Sequence, residues 1–141
     1  MDKLSYAGLE ATLRLYYEPE RACQEIPTLR RMLMDPRELA RQAKALKARL
    51  VRGLKSACSV SLAEDSSRAG GGAFPECILP TMLVELRPQA CSAAELKRRL
   101  LKLRPVLIGR LENDAFCLDP RTIEQADHAR IADLLRRALL A

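Results

Sequence analysis

Residues 58–62 read Cys-Ser-Val-Ser-Leu, and residues 81–87 read Thr-Met-Leu-Val-Glu-Leu-Arg. In both, apolar side chains recur at every second position: Cys58, Val60 and Leu62, then Met82, Val84 and Leu86. A period of two predicts strands with one buried face. The intervening stretch, Glu64 to Pro75, contains Ser66-Ser67-Arg68-Ala69-Gly70-Gly71-Gly72 and reads as a loop. Downstream, Ser92-Ala93-Ala94-Glu95 is a capping box opening a helix to about Lys102. Pro105 then precedes an expected strand, Val106 to Leu111. Asn113-Asp114 reads as a hairpin turn into a short strand, Ala115 to Leu118. Asp127 to Leu140 closes the chain as a helix.

Upstream the period lengthens to that of helices. Asp35-Pro36-Arg37-Glu38 is a helix start, with Asp35 as cap, Pro36 at the first helical position and Glu38 as capping-box partner. In the helix of residues 36–56, Leu39, Ala43, Leu46, Leu50 and Leu54 form one stripe. Arg37, Arg41, Lys44, Arg52 and Lys55 form the other, which reads as a solvated face. A helical turn is expected around Ile26–Leu33. Residues 4–17 predict a helix apolar on two sides, with Leu4, Ala7, Gly8, Ala11 and Leu15 opposite Tyr6, Leu9, Leu13, Tyr16 and Tyr17. Such a helix needs two covers, and one small domain supplies only one.

The order is therefore helices and then β-β-α-β-β-α. Consecutive hairpins with helices on one side predict an α+β sandwich of two layers. Residues 1–34 form a connecting helical segment and residues 35–141 the small domain.

The bulk properties narrow the function classes. The 141 residues suit one domain with a core, and 48% hydrophobic with 30% charged residues argues against disorder. No apolar run approaches the ~20 residues of a membrane span, and Met1-Asp2-Lys3-Leu4 lacks the basic and apolar regions of a secretory signal. A soluble, cytoplasmic protein is expected. Five cysteines without a Cys-x-x-Cys pair, beside a single histidine, predict free structural thiols and no metal site. The net charge of +6 is concentrated: residues 36–56 hold seven basic side chains against Glu38, and residues 92–104 hold five against Glu95.

Little in the residues signals catalysis. His128 borders the apolar stripe of the last helix and reads as structural. Glu64, Asp65 and Asp119 fall at loop and strand ends, where carboxylates are usually solvated. Gly70, Gly71 and Gly72 read equally as a loop pressed against a ligand or a neighbouring chain, with amides free for an anion, and as a flexible connector. No lysine accompanies them, which excludes a P-loop.

Five stretches nevertheless share an order with a known family. Asp2-Lys3-Leu4, Leu9-Glu10-Ala11-Thr12-Leu13-Arg14-Leu15-Tyr16, Ile26-Pro27-Thr28-Leu29-Arg30, Gly70-Gly71-Gly72-Ala73-Phe74-Pro75 and Val106-Leu107-Ile108-Gly109-Arg110-Leu111 together resemble bacterial selenocysteine synthase, L-seryl-tRNA(Sec) selenium transferase. The resemblance covers essentially the whole chain. It implies the small carboxy-terminal domain of a fold-type I pyridoxal-phosphate enzyme, one that turns seryl-tRNA(Sec) into selenocysteinyl-tRNA(Sec) with selenophosphate. It further implies that the Schiff-base lysine lies in a catalytic domain upstream of Met1, cut away by truncation or by a split gene. This chain is then inactive alone, with no catalytic or cofactor-binding residue, and helps close the cleft of a homo-oligomer. Where the family often has Ser-Gln-Val before the glycines, this chain has Ser67-Arg68-Ala69. Arg68 and Gly70 to Gly72 are the expected substrate-proximal residues. The alternatives are the corresponding domain of a related pyridoxal-phosphate lyase or transferase, and a basic tRNA-binding module.

Overall fold

The structure is a computed structural model that describes residues 2–69 and 74–140, with side chains at 2–68 and 78–140. It divides into two compact units, Met1–Asp35 and Pro36–Ala141.

In the first unit, α1 (Lys3–Leu15) is followed by α2 (Pro19–Glu25) and α3 (Pro27–Met32). Asp2 caps α1, its carboxylate accepting from Ser5 N at 2.8 Å, and that bond holds the Asp2 carboxyl below its ordinary range. None of α1's residues is buried; Leu4 is 85% and Tyr17 86% exposed, and Tyr6, Leu9, Leu13 and Tyr16 are exposed on the other flank. The two-sided apolar helix thus stands open on both sides. Helix α2 is absent from the sequence expectation. Pro19 does break what precedes it, but it also occupies the first turn of α2, where its missing N–H costs nothing.

The second unit opens with α4 (Pro36–Leu54), whose stripe Leu39, Ala43, Leu46, Leu50 and Leu54 is buried as the spacing predicts. Strands β1 (Cys58–Ala69) and β2 (Phe74–Pro88) follow, then α5 (Ala93–Lys102), β3 (Arg110–Glu112), β4 (Ala115–Leu118) and α6 (His128–Leu140). The four strands form one antiparallel sheet in the order β1-β2-β4-β3. Its register sets Val60 opposite Leu86, Leu62 opposite Val84, and those two opposite Phe116 and Leu118. This face meets Leu46, Leu50, Leu96, Leu100, Ile131 and Leu135 of the three helices in one buried cluster. The architecture is the expected α+β, two-layer β-β-α-β-β-α arrangement.

Helix α5 carries half of the expected capping box. Ser92 Oγ accepts from Glu95 N at 3.1 Å, but the Glu95 carboxylate turns to Arg98 and Arg99 at 2.7 and 2.8 Å. These guanidiniums, Arg98 first, pull its pKa down to about 2. Asn113 and Asp114 both adopt positive φ, 47° and 58°, as a tight turn between β3 and β4 demands.

Two boundaries differ from the sequence reading. The expected strand Val106–Leu111 begins only at Arg110, because the backbone at Gly109 lies against the Phe116 ring instead of pairing beside β4. The expected loop Glu64–Pro75 is mostly strand: β1 and β2 remain paired out to Arg68 opposite Ile78. Its polar composition hides this, since what holds the outer hairpin is itself polar.

Candidate functional site

Outward of Leu62 the β1–β2 hairpin leaves the apolar core, and charged and hydroxyl side chains take over. Asp119, just after β4, is the hub. Its carboxylate accepts from Ser67 Oγ at 2.5 Å, Thr81 Oγ1 at 2.9 Å and Arg121 N at 3.0 Å. Arg121, 7% exposed, donates through Nη2 to Pro80 O at 2.6 Å. Four residues from three segments thus clamp the hairpin, and Asp119 is no solvated strand-end carboxylate.

Asp65 departs from expectation in the same way. On the sheet face away from the core, Arg110 Nη2 reaches Asp65 Oδ2 at 2.8 Å, joining the two edge strands across β2 and β4. Only a twisted sheet draws those positions together. Beside this pair, Ser61 Oγ donates to Glu85 Oε2 at 3.0 Å and Arg87 Nη1 to the same oxygen at 2.7 Å, and Arg87 holds the Glu85 carboxyl below its ordinary range. Leu83, Ala115 and Cys117 form a second, small buried cluster on this face.

Arg68 is exposed, follows the clamped Ser67 on β1 and has no ion-pair partner among the described residues. By strand alternation it belongs to the face opposite Ser67 and Asp119. Gly70, Gly71 and Gly72 lie outside the described residues. Among the cysteines, Cys58 and Cys117 are buried and Cys23 and Cys91 half-buried. Burial pushes the Cys58 thiol up to about 11 and the Cys117 thiol in the same direction, the opposite of what a nucleophile needs. Among the described residues no group of three His, Cys, Asp or Glu is placed to hold a metal ion, and no helix is long and apolar enough to cross a membrane.

A Schiff-base cofactor requires a lysine in a shielded recess. Lys3, Lys44, Lys55 and Lys102 are exposed and Lys47 and Lys97 half-buried, all on the outer sides of helices or helix ends. None lines the recesses bounded by Arg87 and Asp114, by Arg49 and Arg136, by Tyr6 and Tyr17, or by Pro36 and Met82.

Residues 1–124 match the family model described as L-seryl-tRNA selenium transferase. The chain belongs to that family. It is 55% identical over 139 residues to the L-seryl-tRNA(Sec) selenium transferase of Nitratidesulfovibrio vulgaris, which covers 99% of this chain and 30% of that protein. The same-named protein of Desulfovibrio desulfuricans is 56% identical over 141 residues, covering 98% of this chain and 30% of its own length. That of Geotalea daltonii is 43% identical over 137 residues, covering 96% and 29%. The chain therefore spans about 30% of the length of these selenium transferases.

Within this chain, several motifs that carry the resemblance have packing roles. Asp2 caps α1, Gly109 admits the Phe116 ring, and Arg110 ties the sheet edges together. His128, at the first turn of α6, is 8% exposed. Burial, then the Arg49 charge, lower its pKa below the ordinary value, against the smaller opposing pull of Asp127. Above the ordinary histidine pKa of about 6.5 it is neutral in both folded and unfolded chains and contributes no pH dependence. As pH falls below that value the unfolded chain takes up the proton first, so stability declines until the lower folded pKa is passed. Urea midpoints are expected to drop as pH falls below about 6.5, and His128→Gln is expected to flatten that segment of the profile. A wild-type slope retained in His128→Gln would assign it to another group.

Proposed function

We propose that this chain is the small carboxy-terminal domain of an L-seryl-tRNA(Sec) selenium transferase, in an enzyme that converts seryl-tRNA(Sec) to selenocysteinyl-tRNA(Sec) with selenophosphate in the cytoplasm. The carrying observation is the 55% identity over almost the whole chain to a protein so named. Pyridoxal phosphate belongs to the catalytic domain of the parent enzyme. When bound there, it supplies the electron sink for exchange at the seryl β-carbon. In this reading none of the six lysines of this chain holds it.

The contribution of this chain is then to pack and to position. Helix α1, open on both sides, docks one apolar flank on the catalytic domain and the other within a homo-oligomer. Burying side chains such as Leu4, Leu13 and Tyr17 stabilises such a junction by about 1.5–3 kcal/mol each. The clamped β1–β2 hairpin presents Arg68 toward the cleft. There its guanidinium pairs with phosphate and helps exclude water.

The test is complementation. Supplied together with the Desulfovibrio desulfuricans relative lacking its matching segment, this chain is expected to restore selenocysteinyl-tRNA formation. Leu4→Ser with Leu13→Ser is expected to abolish that rescue. Incubated alone with pyridoxal phosphate, the chain is expected to develop no Schiff-base absorbance that survives dialysis. Turnover by the isolated chain, or no rescue by the wild-type chain, overturns the reading.

A further inference from the structure

Helices α4, α5 and α6 carry 13 lysines and arginines against only Glu38, Glu95 and Asp133. The chain as a whole is only +6, so everything outside these helices holds more acid than base. The positive charge is thus a property of the helical layer, and one recess of that layer lies between α4 and α6. There the two helices approach closely: a Cβ at Gly53 would stand 3.4 Å from the Ala132 Cβ. Small residues at this crossing leave an open recess of about 410 Å³ walled by Arg49 and Arg52 on one side and Asp133 and Arg136 on the other.

The arginines of this recess are little used by the fold. Arg49 has no hydrogen-bond or ion-pair partner among the described residues. Arg52 donates only to its own helix, Nε to Ala48 O at 3.2 Å. Arg136 pairs with Asp133 at 2.6 Å across one turn, with both side chains about half exposed, an arrangement that contributes little to stability. Three exposed guanidiniums around a groove floored by glycine and alanine form an anion track. They can fork onto phosphate oxygens while the narrow floor lets a backbone approach.

We propose that the α4–α6 groove is a phosphate-backbone binding surface for structured RNA. A ribose-phosphate backbone fits better than a protein or a membrane for two reasons. Successive phosphates suit cations spread over two helices, and the lining of the groove holds no aromatic or large apolar side chain to enter a bilayer or stack on bases. The surface therefore grips RNA without reading its sequence. The proposal rests on the family reading only for the choice of tRNA as probe; complementation tests that reading separately.

The experiment titrates a tRNA transcript against the 141-residue chain over a range of salt. Three phosphate contacts give log affinity against log salt a slope of about −2 to −3. Arg49→Glu with Arg52→Glu is expected to weaken binding at least tenfold and to flatten that slope by about two. Asp133→Asn, which removes the one acid of the groove, is expected to tighten it. Lys102→Glu with Arg104→Glu lowers the net charge equally but lies at the end of α5, and is expected to change affinity less than threefold. Bound phosphate offsets the Arg49 charge, so the NMR titration of His128, the only histidine, is expected to move to higher pH with RNA. All these sites are exposed, and unchanged thermal melts verify the fold. Equal losses in the two double variants, or no shift of His128, overturn the proposal. So does binding to phosphatidylserine vesicles that matches binding to RNA.

Discussion

Gly109→Ala is expected to destabilise the chain by about 3 kcal/mol, at the upper end of what overpacking a core costs. A methyl group there would stand 2.5 Å from Phe116 Cζ, 2.8 Å from Cε2 and 2.7 Å from the Cys117 carbonyl oxygen. Flexible neighbours give way cheaply to such an intrusion, but these are not flexible. The Phe116 ring is fully buried between the sheet and the helices, and the Cys117 backbone belongs to β4, paired with β2 on one side and β3 on the other. Relief therefore requires the segment before β3 to lift away. The measurement is urea unfolding monitored by circular dichroism. Gly53→Ala, whose new methyl would make an ordinary 3.4 Å contact with Ala132, should change stability by less than 1 kcal/mol. Equal effects at the two positions would show that the close approach at Gly109 is not what sets its cost.

Asp119→Ala is expected to cost a further about 3 kcal/mol, and to do so locally. Three donors lose their acceptor together: the hydroxyls of Ser67 and Thr81 and the amide of Arg121. Thr81 is 6% exposed, so its hydroxyl finds water poorly once the carboxylate is gone. Leaving a buried donor unsatisfied costs more than the net worth of the bond it made. Asp119→Asn, which keeps one acceptor oxygen, is expected to lose about half as much. Amide hydrogen exchange distinguishes a clamp from a general stabiliser. Exchange should accelerate at Asp65–Arg68 and at Ile78–Met82, while the amides of α5 and α6 keep their protection. Uniform acceleration across the whole second unit would place Asp119 in the global core instead.

What the sequence made legible follows from where apolar periodicity governs. The stripe of α4, the alternation Cys58-Val60-Leu62 and Met82-Val84-Leu86, and the turn at Asn113-Asp114 each depend on neighbours close in the chain, and each is found as read. The outer hairpin was hidden because its partners are 38 to 52 residues away: Asp119 for Thr81 and Ser67, with Arg110 for Asp65 at a comparable separation. Nothing local marks Ser66-Ser67-Arg68 as strand. Similarly, Gly109 within Val106-Leu107-Ile108-Gly109-Arg110 looks like a strand interior until the Phe116 ring is placed beside it. The stripe of Arg41, Lys44 and Arg52 was legible as basic, but the groove was not, because Arg136 and Ala132 reach it from a helix 80 residues later. Of the residues singled out for function, Arg68 stands exposed beside the clamp; no chemical signal in the sequence could have linked it to Asp119.

The clamp also has a consequence for how this domain can change over generations. Of the four residues that fasten the hairpin, Ser67 adjoins Arg68 but belongs to the opposite face of β1, and none of the four belongs to the main apolar cluster. Replacements at Arg68 therefore leave both the fastening and the core untouched. The hairpin end is thus an attachment whose chemistry at position 68 can change without drawing on the stability of the sandwich beneath.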